Sequence, residues 1–128
     1  MREARTFLAQ FAPKSLDDVL KVANAFGTKE QAYLRQVAGY WEMAASLVNR
    51  GALNRELALD NFQEMFFVYA KVQPYLEEYR QTMGTPGFLQ QVQQLAESSL
   101  ETRKRLSDLQ AMQAAMGRRR AEAMAAAR

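Results

Sequence analysis

Three carboxylates, Glu42, Asp60 and Glu64, are the first side chains to weigh for chemistry, because each falls in a stretch of helical spacing. Facing helices can converge such acids on a di-metal centre, but those centres combine Glu with Glu-x-x-His, and this chain has no His. An all-oxygen Mg²⁺ or Ca²⁺ site is the version left open. Surface carboxylates, or one buried ion pair, are the simpler reading. Ser98 and Ser99 stand beside Glu97 in a Gln-rich stretch, with no His to act as base and no nucleophile motif around them. The glycines stand apart and form no phosphate-cradling pattern. Without His or Cys, the commonest general base, the usual pH switch and every thiolate site are missing together. We therefore expect no catalytic residue, no metal and no cofactor, and read the chain as a non-enzyme.

Charge offers a second kind of chemistry. The net charge is +3, and from Leu100 onward seven basic residues face three acidic ones, against ten and eleven before it. The candidate anion contacts are Arg103, Lys104 and Arg105, then Arg118, Arg119 and Arg120. Consecutive residues spread around a helix, so neither triplet presents one flat face. A solvated helix end and a nucleic-acid contact both fit, although no helix-turn-helix or base-stacking pattern accompanies the charge. Apart from its methionines the tail has Ala where a membrane-surface helix would carry Leu, Phe or Trp.

The elements that must position these residues are all helical. At 128 residues, 48% apolar and 24% charged, the chain fits one ordinary domain. Six Gly and three Pro are too few for a strand-rich fold. Ser15, Thr28 and Asn54 read as N-caps, and Gly27, Gly51 and Gly84 as C-terminal stops. Phe7, Leu8 and Phe11 suggest a short helix before Pro13, packed loosely or frayed. The helix after Thr28 carries a wide apolar stripe and is expected to be central. A third runs from Asn54 to Gly84, with a kink near residues 70–72 caused by Pro74. Thr85-Pro86 signals the start of the last helix, whose seam positions Ser99 and Thr102 are polar; after about Leu100 it is expected to project from the domain.

The aromatic set Tyr33, Tyr40, Trp41, Phe62, Phe66, Phe67, Tyr69, Tyr75 and Tyr79 suits a core, a ligand pocket or an interface. Tyr40 and Phe67 fall beside the main stripes of their helices, which points to a further buried face. Leu106, Leu109, Met112 and Met116 form a narrow stripe on the last helix that a projecting segment would leave wet. Together with Phe67 they are the candidate interface.

The runs Tyr40-Trp41-Glu42-Met43-Ala44 and Leu47-Val48-Asn49-Arg50-Gly51-Ala52-Leu53-Asn54, then Pro74-Tyr75-Leu76, Arg80 and Gly84-Thr85-Pro86, resemble an uncharacterised bacterial all-helical family known only as a domain of unknown function. The likeness spans residues 30–95. It implies a helical fold and names no activity and no catalytic residue. Asn54 stands where that pattern would have Asp, and the basic tail lies outside the likeness.

Taken together, the expectation is an all-α compact bundle of about four helices, with a Pro-kinked third helix and a long, partly projecting C-terminal one. Residues 1–110 form the domain, and residues 111–128 a basic, Ala-rich tail, helical or disordered. The expected role is a non-catalytic interaction domain that self-associates or binds another protein, with nucleic-acid binding through the tail as the alternative. The N-terminus lacks a secretory apolar region and no apolar run approaches the ~20 residues of a membrane span, so a cytoplasmic location is expected.

Overall fold

The computed structural model describes residues 1–128, and all its regular structure is helical. The local caps form as their residue types dictate. Ser15 Oγ accepts the Asp18 N–H at 3.3 Å to start α2 (Leu16–Ala23). Thr28 Oγ1 accepts from Gln31 N at 3.2 Å to start α3 (Lys29–Asn49), and Asn54 Oδ1 accepts from Leu57 N at 2.9 Å to start α4 (Arg55–Asn61). Gly51, just beyond α3, has φ of +84°, a left-handed conformation that only glycine takes cheaply.

Helix α3 is the centre. Leu34, Val37, Trp41, Ala44, Ala45 and Val48 are buried along it, against α1 (Arg2–Gln10), α2 and α7 (Gln90–Ala96). The wide stripe read from the sequence is real for these residues. Helix α1 departs from expectation. It is a core element rather than a frayed end: Ala4 and Leu8 are fully buried, and the Phe7 ring stacks on Phe11 and tilts against Tyr33. The small Ala4 side chain lets the two helix backbones approach closely, a contribution that counting large residues overlooks.

The expected third helix is three helices, and the bundle has more than four. α4 ends at Phe62, whose backbone leaves the helical region at ψ of 42° while its ring meets the edge of Trp41 at 5.1 Å between centroids. α5 (Gln63–Val72) follows, then a 3₁₀ turn at Gln73–Tyr75, then α6 (Leu76–Met83). The Pro74 break is therefore a change of helix type rather than a bend in one helix. In a continuous helix the N–H of residue 74 would bond Ala70 O, and proline has none. Gln110 Nε2 donates to that carbonyl instead, at 3.3 Å.

The last helix is also divided. Residues 86–89 form turns, α7 follows, and α8 runs Leu100–Ala126. The polar middle of the seam is a helix start: Ser99 and Thr102 exchange side-chain and backbone bonds in a capping box. After that start α8 does not project at once. Thr102 and Leu106 are buried, Leu109, Gln110 and Gln113 are half-buried along α5, and every residue from Met116 to Arg128 is exposed.

Truncating Leu8, 1% exposed, should cost about 2–5 kcal/mol in urea unfolding. Leu100→Ala, at a residue 83% exposed, should stay within about 0.5 kcal/mol. Equal small effects would show that α1 is peripheral.

Candidate functional site

Glu42 and Glu64 both reach away from the helices that carry them to serve a neighbour. From α3, Glu42 accepts the backbone N–H groups of Gln91 at 3.1 Å and Val92 at 2.9 Å. These open α7, whose own N-cap, Leu89, has φ of 55° and no side-chain acceptor. Glu42 caps that helix in trans, and its charge meets the positive end of the dipole. Asn49 adds a bond from Nδ2 to Gln91 O at 3.0 Å. Glu64 accepts from Trp41 Nε1 at 3.0 Å and from Arg5 Nε at 2.6 Å, joining α1, α3 and α5. Asp60 lies exposed on α4. The three acids do not converge, and no group of carboxylates here is placed to hold a metal ion.

The serines are structural as well. Ser98 Oγ receives Arg55 Nη2 and donates to Leu95 O at 2.6 Å, and Ser99 caps α8. Glu97 accepts the hydroxyl of Tyr69. Burial first, and that hydrogen bond second, hold the Tyr69 phenol well above its ordinary pKa.

Of the aromatics, Phe66 and Tyr69 are fully buried, and Trp41 makes edge contacts with the rings of Phe62 and Tyr40. Tyr40 itself is 47% exposed, beside Met43 at 51% and Leu47 at 40%. The sequence sets Tyr40 beside the main stripe, but the exposure of Met43 and Leu47 along the same edge of α3 is what sequence reasoning missed. The i, i+3, i+7 spacing along that edge was the signal.

The five candidate interface residues divide. Leu106 is buried inside the chain, while Phe67 and Leu109 are half-buried along the α5–α8 contact. Met112 and Met116 are exposed. Phe67, Leu109 and Met112 share the wall of an open groove of about 840 Å³, with Glu64, Glu101, Asp108, Lys104 and Arg105 around it.

The first basic triplet is largely engaged. Lys104 pairs with Asp108 at 2.9 Å. Arg105 donates from Nη1 to Leu59 O at 2.6 Å and stacks 4.2 Å above the Phe66 ring, while Arg103 is exposed. Arg118, Arg119 and Arg120 are exposed and belong to no ion pair.

Lys71 carries no sequence signal, because its role depends on where α1 lies. Its Nζ donates to Leu8 O at 2.6 Å and Ala9 O at 3.0 Å, closing the C-terminal end of α1, and sits 4.5 Å from the Phe67 ring centroid. Burial, with a smaller push from the Arg120 charge, lowers its pKa to about 8. A second cavity, of about 640 Å³, opens beside it where the α1–α2 linker, the Pro74 turn and α8 meet.

The chain belongs to the family described as domain of unknown function DUF4760, whose model matches residues 1–99. The match ends at the residue that caps α8, so α8 lies outside it. No curated protein and no solved structure matches the chain. No helix is long and apolar enough to cross a membrane.

The depressed Lys71 pKa sets a pH dependence. Between about pH 8 and the ordinary value of 10.5, the unfolded chain holds the Lys71 proton more tightly than the folded one, so this residue's contribution to stability rises with pH. Relative to Lys71→Met, the wild-type unfolding free energy should therefore increase across that window. A difference that stays flat or shrinks contradicts the burial of this charge.

Proposed function

We infer that this member of the DUF4760 family is a non-catalytic helical interaction domain that pairs with a second copy through the exposed edge of α3. The observation that carries this reading is the apolar stripe of Tyr40, Met43 and Leu47, wet in the isolated chain. Apolar side chains exposed together along one helix face are what interaction sites present, and Tyr is a residue that anchors interface cores. Leu53, just past the end of α3, is exposed as well, and its N–H bonds Leu47 O at 3.2 Å.

Gly39 supports the same reading. It lies in the interior of α3, where glycine costs about 1 kcal/mol relative to alanine. A Cβ added there would meet nothing within 4 Å, so packing inside the chain does not require glycine at this position. With Tyr40, Met43 and Leu47 it falls within about 100° of helix arc, and its missing side chain lets a partner helix approach closely. A single uncharged stripe on one helix suits an isologous contact, in which the same face serves both copies.

The alternative reading is nucleic-acid contact through the tail. It is favoured by Arg118, Arg119 and Arg120, exposed and without carboxylate partners, and it requires affinity that falls steeply with salt.

Sedimentation equilibrium at micromolar concentration should give a dimer that Met43→Glu or Leu47→Glu converts to monomer with helix content unchanged. A strict monomer overturns the proposal. So does a dimer that survives both changes and is lost with Met112→Glu, which would place the contact on α8.

A further inference from the structure

Lys14, Lys71 and Arg118 come from three separate parts of the chain, the α1–α2 linker, α5 and α8, and line one open cavity of about 640 Å³ that has no carboxylate in its wall. Asp18, in the first turn of α2, accepts the Lys14 backbone N–H at 2.8 Å, and neither it nor Asp17 is part of the lining.

Lys71 is the informative member. Its ammonium bonds two neutral carbonyls and faces an aromatic ring. The protein's three ion pairs, Arg5–Glu64, Arg80–Glu77 and Lys104–Asp108, leave it without a counter-ion. The Arg120 charge disfavours its protonated form further. A half-buried cation held near like charge is unfavourable unless an anion joins it, and helix capping alone does not require Lys14 or Arg118 to gather at the same opening.

We propose that this cavity binds the phosphate group of a small organic phosphate. Three cations around one opening suit a dianion better than a single carboxylate. The Arg118 guanidinium matches phosphate oxygens with a planar fork, while Lys14 and Lys71 act as point charges. Pro13, Pro74 and Tyr75 supply apolar wall for the body of the ligand, and the volume lies in the ~300–1,000 Å³ range of small-molecule pockets. No α3 residue takes part, so the site is independent of the self-association surface.

Amide chemical shifts of the full chain, followed at constant ionic strength during titration with pyrophosphate, adenosine monophosphate or a thymidine oligonucleotide, test this. The two small phosphates should give saturable shifts at Lys14, Lys71, Gln113 and Gly117. Affinity should fall about tenfold or more in Lys14→Ala/Arg118→Ala, at two exposed positions, and be unchanged in Arg35→Ala/Arg50→Ala, exposed cations outside the cavity. No saturable shift with either small phosphate, binding of the oligonucleotide alone, or equal loss in the two double variants overturns the proposal.

Discussion

A helix of seven residues leaves most of its backbone polar groups without intrahelical partners, and this protein has two of that length, α4 and α7. The fold depends on how those ends are satisfied. Side chains from neighbouring helices do much of it: Glu42 closes the start of α7, Lys71 the end of α1, Arg105 the end of α4, and Gln110 the carbonyl freed by Pro74. Arg80 does the same for the turn before α7, donating from Nε and Nη2 to Phe88 O. No buried side-chain nitrogen or oxygen is left without a partner. Since an unpaired buried polar group costs about 1–3 kcal/mol, these cross-helix bonds help offset the cost of the short helices whose ends they serve.

That constraint accounts for most of the polar residues that looked chemical. Glu42, Glu64, Glu97, Ser98 and Ser99 each have a structural partner. What the fold does not use lies at its surface, in two places. One is the apolar edge of α3; the other is the pair of exposed cations, Lys14 and Arg118, that flank the capping Lys71. An interaction domain with an anion pocket is a coherent reading because both are residues that intrachain packing and capping leave over.

Caps that act within a few residues were legible from the chain alone. Ser15, Thr28 and Asn54 begin helices because the acceptor and the N–H groups it serves lie on the same short segment. Ser99 and Thr102 carried the same signal, but reading α7 and α8 as one helix turned a start into a polar gap. The kink expected at Pro74 is instead a change of helix type, and the carbonyl it frees is served by Gln110, 36 positions from the proline. Trans caps such as Glu42 and Lys71 have no local signature, since their targets are set by tertiary packing. The same limit governs the candidate sites. Arg118 stood out through its basic neighbours, whereas Lys14 and Lys71 acquire meaning only once α1 is placed; Tyr40 already fell beside the core stripe, but Met43 and Leu47 show as exposed only once the neighbours of α3 are known.

Hydrogen exchange of the α7 amides in Glu42→Ala, compared with the unaltered protein, tests the central role of cross-helix capping most directly. The account predicts that Gln91 and Val92 exchange through global unfolding in the original chain. In the variant they should open locally and much faster, while Val37 and Phe66 remain protected to the global limit. Unchanged protection across α7 in the variant, or α7 amides that already exchange freely in the original chain, would contradict it.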